Sequence, residues 1–213
     1  MTPTLTFETL TPERWPDLEA LFGPRGAVGG CWCMHWRLRR AEYERLKGEG
    51  DRTAFKVIVE TGLPPGILAY VGDRPVGWCA VAPREVYTTL ERSRILKPVD
   101  NRKVWSVTCF FVARELRGQG VATQLLHAAV GYAASQGART VEGYPVEPRG
   151  GTMPPVFAFT GTAATFRAAG FHEVARRSPT RPIMRYEIGS EAAESSLQRS
   201  RSCPESGRTE VRE

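Results

Sequence analysis

The stretch VWSVTCFFVARELRGQGVATQLLHAAVGYAASQG, residues 104–137, constrains the fold of this chain more than any other. Val104 to Val112 is apolar at both alternating positions, the pattern of a central strand covered on both faces. Residues 121–137 place Val121, Leu125, Leu126, Ala129, Val130 and Ala133 on one helical face, and Gly137 provides the stop. Between strand and helix stand Arg117, Gly118, Gln119 and Gly120. A strand that passes through a short basic glycine turn straight into a helix presents the helix's unpaired N–H groups to whatever sits before it. With the helix dipole these donors favour an anion, and the glycines let a phosphate come close to the backbone. Arg117 adds charge and Thr123 a hydroxyl in the first helical turn. The segment implies an α/β chain carrying a phosphate or pyrophosphate site.

Several phosphate loops share this outline. A Walker loop requires GxxxxGK[ST], and no Lys-Ser/Thr pair follows these glycines. A dinucleotide fingerprint requires GxGxxG, but Thr123 stands at the third glycine position and the flanks are not repeated βαβ units. A tight turn with no ligand is the remaining alternative, and for a lone GxG it would suffice. Here the turn opens on a basic residue, small residues stand at 118, 120 and 122, and a hairpin precedes it.

The flanks supply that hairpin and more. LTFETL is a short first strand, and Thr11-Pro12-Glu13 signals a helix start running to about Phe22, ended by Gly23-Pro24. Helical patterns cover AEYERLKGEG and DRTAFKVIVETG, with a break at Gly48 or Gly50. Residues 66–71 and 76–81 form two short apolar runs joined by GDRP, the spacing of a β-hairpin. The polar stretch 85–103 has room for a helical turn. Residues 141–146 suggest a further strand, ended by a Pro/Gly-rich loop through Pro155. Thr162 to Ala169 is a short helix stopped by Gly170, and FHEVARRS and RPIMRYEI alternate as a closing antiparallel pair. From about Gly189 to Glu213 apolar residues thin out and aromatic ones vanish, so a disordered tail is expected.

Composition limits the partners. The 213 residues suit one domain plus a tail, and a net charge of +6 favours anionic ligands. The basic residues are dispersed and no nucleic-acid reading motif is present, so a nucleic-acid partner is not expected. The N-terminal residues lack the pattern of a signal peptide, and no apolar run approaches the roughly 20 residues needed to span a membrane. A cytoplasmic protein without a membrane partner is expected. Five cysteines at 31, 33, 79, 109 and 203 do not suggest a disulfide framework.

Arg117-Gly118-Gln119-Gly120-Val121-Ala122 resembles the Q/R-x-x-G-x-G/A acetyl-CoA loop of the GCN5-related N-acetyltransferase (GNAT) family. The order of elements across roughly residues 3–188 resembles that family too, and Gly170-Phe171 matches the Gly-Phe pair that follows its late helix. The resemblance implies one domain over residues 1–188 with a mixed, mostly antiparallel sheet, splayed open after the 104–112 strand and flanked by helices. It implies that acetyl-CoA pairs its pantetheine arm with the backbone of Phe110, Phe111 and Val112. Its pyrophosphate would rest on Arg117, Gly118, Gln119, Gly120, Val121 and Ala122, with Thr123 beside them. The activity implied is transfer of an acetyl group from acetyl-CoA to a primary amine; a homodimer is compatible with it.

Acetyl transfer needs a neutral amine, so a base or a water chain must remove a proton. The family often protonates the departing CoA thiolate with a tyrosine four residues before the ending helix glycine; here Phe166 stands there. Glu142 and Tyr144 share a face by strand period two, which makes Glu142 a candidate base and Tyr144 a candidate acid or substrate contact. A surface glutamate and a packed tyrosine are the plain alternative. CWCMHW, residues 31–36, falls where the family covers the acceptor, and an aromatic acceptor wall is expected there. Trp32, Trp36, Trp78 and Trp105 are candidates for an aromatic pocket that takes a small-molecule amine, though core packing also explains them. Cys31, Cys33, Cys79 and Cys109 with His35 offer metal-ligand chemistry, but CxC is not the CxxC knuckle and no metal is expected. A protein amine as acceptor, or a CoA-binding sensor without catalysis, are the rival readings.

Overall fold

A computed structural model describes residues 4–148 and 158–189. The hairpin expected from residues 66–81 is present as β2 (Gly66–Val71) and β3 (Arg74–Pro83), turning at Gly72-Asp73. The first strand, β1 (Thr6–Thr9), pairs antiparallel with β2. The doubly apolar run forms β4 (Trp105–Val112), which pairs antiparallel with β3. Next in the sheet is β5 (Thr140–Gly143), parallel to β4, and beyond it the closing pair β7 (Pro182–Glu187) and β6 (His172–Arg176). The order is β1-β2-β3-β4-β5-β7-β6, with β4–β5 the one parallel pairing. The expected mixed, mostly antiparallel sheet is what forms.

The sheet opens where β4 outruns β5. Only Trp105, Ser106 and Val107 pair with Val141, Glu142 and Gly143, after which β4 continues to Val112 paired with β3 but not with β5. The register of β3 against β4 shifts at the same point: Thr108 of β4 is the extra residue opposite the Ala80–Val81 step, a bulge that bends the ladder at the opening. Phe166 helps to end β5 there: a Cβ on Gly143 would lie 2.0 Å from its ring, so only glycine admits the ring at that point.

The helices fall on two faces. α5 (Val121–Ser135) buries Val121, Leu125, Leu126, Ala129 and Ala133, the expected stripe except that Val130 stays half-buried. It covers the face that carries Cys79, Val81 and Val107. On the other face α1 (Trp15–Phe22) and α3 (Glu49–Thr61) enclose Leu68, Trp78 and Ala80 with Trp15, Trp32 and Phe55. Between them α2 (Arg40–Leu46) is split from α3 at Gly48, whose φ of 90° fits glycine; Gly50 lies inside α3. The polar stretch opens on a 3-10 turn (Arg84–Val86) and continues into a short helix, α4 (Thr88–Glu91). The late helix, α6 (Ala163–Ala168), is capped by Thr162, whose hydroxyl accepts from the Thr165 N–H at 3.2 Å. The expected tail falls outside the described residues, apart from Gly189.

Candidate active site

The glycine loop is shaped by backbone conformation. Gly118 and Gly120 adopt φ of 76° and 78°, and a Cβ on either would meet nothing within 4 Å. Left-handed torsion angles, with no crowding behind them, therefore select glycine at both. Arg117 donates from Nε to the Val112 carbonyl at 3.0 Å, and Gln119 from Nε2 to the Glu115 carbonyl at 2.8 Å, tying the loop to the end of β4. The first bond of α5 runs from the Gln124 N–H to the Gly120 carbonyl at 3.1 Å, so Val121, Ala122 and Thr123 have no acceptor for their N–H groups within the helix.

Two cavities flank the exposed end of β4. One, about 410 Å³, is a groove bordered by Phe110, Phe111, Val112, Arg117 and Ala122, with Phe159, Gly161, Thr162 and Thr165 opposite. Of the cofactor residues expected from sequence, these first five border it; the side chain of Val121 is instead buried under the sheet. The other cavity, about 460 Å³, is lined by Cys31, Cys33, His35, Tyr43, Lys47 and Cys109, together with Ala27 and Gly29. Phe110, Phe111 and Phe159 line both, so the two meet at the open edge of β4.

That edge is not wholly free. The Phe110 N–H donates to the Phe159 carbonyl at 2.6 Å. A ligand strand lying along β4 has to displace that carbonyl to pair at Phe110.

The wall of the second cavity is built from alternate residues of CWCMHW. Cys31, Cys33 and His35 face inward, whereas Trp32 and Met34 are buried in the core. Of the four tryptophans expected around an acceptor, none lines the cavity among the described residues. Trp32 packs on Trp15 and Phe22, Trp78 on Phe55, Trp105 edge-on to Tyr132, and Trp36 toward Tyr87 and Leu90. The aromatic contribution comes instead from Phe110, Phe111, Phe159 and Tyr43.

The polar groups of this wall are shifted in different directions. Burial, aided by the Arg181 charge and opposed by Glu44, holds the His35 imidazole below its ordinary range. Its ring meets Trp36, Tyr43 and Phe159 edge to face at 4.9, 5.3 and 5.8 Å. Burial raises the Tyr43 hydroxyl and the neighbouring Cys31 thiol. Cys33 moves the opposite way: the neighbouring Cys109 thiol, the Trp78 indole that donates to its sulfur at 3.1 Å and the Arg37 charge lower it despite its burial. Among the described residues no set of three His, Cys, Asp or Glu side chains is placed to hold a metal, and Cys79 lies on the opposite face of the sheet.

Glu142 and Tyr144 are brought together as their spacing suggests, but away from both cavities. Tyr144 donates to Glu142 Oε1 at 2.7 Å, and that oxygen also accepts from Arg84 Nη1 at 2.9 Å. Glu142 Oε2 accepts from Arg185 Nε at 2.8 Å. Arg185 continues to Asp100 at 2.6 Å, and Arg84 to Glu91 and the Leu96 carbonyl at 2.7 and 2.8 Å. Glu142 is 1% exposed and Tyr144 fully buried. The tyrosine hydroxyl, 2.8 Å from the Ser106 hydroxyl, is pushed well above its ordinary range by burial and by the Glu142 charge. Phe166 is equally enclosed, edge-on to Phe110 and Phe171 at 6.0 and 5.0 Å.

Arg84, Tyr43, Lys47 and Phe159 were not singled out by sequence reasoning. For Arg84 and Lys47 the sequence carries no signal beyond a charge in a polar stretch. For the cavity wall the signal existed: the strict alternation in CWCMHW separates Cys31, Cys33 and His35 from Trp32, Met34 and Trp36.

A sequence model of the acetyltransferase (GNAT) family matches residues 32–147, more than half of the chain. A search of curated protein sequences gave no match. Among solved structures, a GNAT-family acetyltransferase from Listeria monocytogenes superposes with a TM-score of 0.54 at 10% identity, covering 88% of this chain and 99% of that one. One from Streptococcus pneumoniae gives 0.51 at 12% identity, covering 87% and 100%. At these identities the likeness bears on the fold alone. No helix among the described residues is long and apolar enough to cross a membrane. By the family match and by the splayed sheet with its glycine loop, this chain belongs to the acetyltransferase (GNAT) family.

Proposed function

We propose that this protein transfers an acetyl group from acetyl-CoA to the primary amine of a small molecule. The observation that carries the reading is the meeting of two cavities at Phe110, Phe111 and Phe159, one bordered by Arg117 and Ala122 of the glycine loop and one a largely apolar pocket that holds His35, Tyr43 and Lys47. Acetyl-CoA would lie in the first with its pyrophosphate on residues 117–123 and its thioester at the junction. The amine would enter through the second, whose volume of about 460 Å³ suits a small ligand. Pantetheine pairing at Phe110 requires the Phe159 carbonyl to give way.

His35 is the group we assign to the amine's proton. It lines the pocket, and its lowered pKa leaves a neutral imidazole with a free lone pair near pH 7. Glu142 does not suit that task, because both carboxylate oxygens are engaged by arginines and neither faces a cavity. Its pair with Tyr144 is better explained as the tie holding β5 and β7 to the 84–100 segment. The thiol of CoA is acidic enough to leave near neutrality without a tyrosine to protonate it, so Phe166 is compatible with turnover.

Thiol release from acetyl-CoA across a panel of small amines tests the reading. Amine-dependent release that falls about a hundredfold in His35→Gln is expected. Acetyl-CoA binding without release on any amine would instead support a sensor, the reading favoured by the occupied Phe110 N–H. Release only with peptide amines would move the acceptor class.

A further inference from the structure

The fixed charge on the acceptor cavity is of one sign. Its wall is largely apolar, with Ala27, Phe110, Phe111 and Phe159, and no carboxylate lines it among the described residues. Lys47 is the one lysine or arginine there among those residues. It follows Tyr43 by one turn, at the end of α2, so a single helical face brings an ammonium and a phenol to the cavity. Lys47 is exposed and, unlike Lys56 with Glu60, has no carboxylate at ion-pair distance among the described residues. A second cation stands behind the wall. Arg181 donates from Nη1 to the hydroxyl of Thr160, the neighbour of Phe159 in the chain, at 3.2 Å, and its charge reaches His35. Arg84 and Arg185 are compensated by Glu142, whereas half-buried Arg181 has no carboxylate partner among the described residues. Burial accordingly lowers its pKa. Glu44 and Asp51, carboxylates whose charge is felt at Tyr43, lie outside the cavity wall. Cations left without a protein anion beside an apolar cavity favour an anionic group on the ligand.

We propose that the acceptor is an apolar amino acid, or a related primary amine carrying a carboxylate, and that Lys47 and the Tyr43 hydroxyl select it by holding that carboxylate. This deepens the acetyl-transfer reading given above and rests on it for the amine's place at the junction of the two cavities. The apolar side chain of the acceptor lies against Phe110, Phe111 and Phe159. Its carboxylate takes one hydrogen bond from the Lys47 ammonium and one from Tyr43, whose raised pKa keeps the phenol protonated and able to donate. Its amine faces His35. A polyamine, with a second ammonium in place of the carboxylate, meets Lys47 as a like charge and finds no carboxylate among the described wall residues. The wall that selects an amino acid therefore rejects a polycation.

Matched acceptors test this in the full chain. CoA release is followed with phenylalanine against phenethylamine and leucine against isoamylamine, with spermidine as the cationic arm. Each amino acid should exceed its decarboxylated partner at least about tenfold in kcat/KM, and spermidine should be the poorest acceptor. Lys47→Met should shrink that ratio about tenfold, mainly through the KM of the amino acid, Lys47→Arg should keep it and Lys47→Glu should reverse it. Comparing ratios between variants cancels the difference in amine acidity within each pair. Binding is read separately, as the rise in melting temperature given by N-acetylphenylalanine and by N-acetylphenethylamine with CoA present. Release that is equal with and without the carboxylate, or a ratio unmoved by Lys47→Met, overturns the selection and leaves acetyl transfer standing. No release on any amine, with N-acetylphenylalanine still bound in a Lys47-dependent way, overturns acetyl transfer and keeps the carboxylate site. Neither release nor selective binding overturns both.

Discussion

At the scale of single residues, buried charge separates two jobs that the sequence could not tell apart. Glu142 sits buried between Arg84 and Arg185, so its charge is compensated and both its oxygens are engaged. Removing it leaves two guanidinium groups facing each other across low-dielectric space. Glu142→Ala should therefore cost about 3–5 kcal/mol of stability, measured by denaturant unfolding. Glu142→Gln should destabilise less while keeping kcat per folded molecule near wild type; a fall of kcat without loss of stability would restore the catalytic assignment. Asp51 is the opposite case. It is buried in α3, both its oxygens lack a partner, and burial raises its pKa from 3.8 to about 6. A carboxyl whose folded pKa is raised binds its proton more tightly in the native state. Its contribution is therefore present below the unfolded value and fades as pH rises from about 4 to about 6. Urea midpoints across that window should decline with pH in wild type and show a shallower slope in Asp51→Asn.

At the scale of elements, the strand–loop–helix unit was legible because local rules and tertiary demands agree there. Apolar alternation on both faces required a central strand, positive φ required Gly118 and Gly120, and the stripe on α5 required a sheet beneath it. The loop's charge then predicts binding. Arg117→Ala, at an exposed position, should weaken acetyl-CoA about tenfold in a titration with little change in melting temperature. Gly120→Ala should weaken it as well, through the backbone rather than through contact, and cost about 1–2 kcal/mol in unfolding. The tryptophans were less legible. Trp78 and Trp105 lie on strands packed on both faces, so periodicity cannot tell a cavity from a core, and both went to the core. In CWCMHW the alternation was readable but its sense was not: aromatic size drew Trp32 inward and left Cys31, Cys33 and His35 to face the cavity. Phe159 was illegible because it arrives from a Pro/Gly-rich loop with no period at all.

At the scale of the whole molecule, the sheet is the device that makes one site from distant residues. β4 contributes its open edge, the loop after it the glycine turn beside one cavity, the 31–36 segment and α2 a wall of the other, and Phe159 of the 158–161 turn a side of both. A ligand that bridges them binds the native state alone. Saturating acetyl-CoA at about a hundred times its Kd should stabilise the chain by roughly 2.7 kcal/mol, read as a rise in melting temperature. If the two cavities form a single reaction path, as proposed above, mixing acetyl-CoA with a panel of small primary amines should release CoA thiol. Amine-dependent release, reduced about tenfold in Arg117→Ala at low acetyl-CoA and about a hundredfold in His35→Gln at saturation, is the predicted result. Tight acetyl-CoA binding with no release on any amine would contradict it.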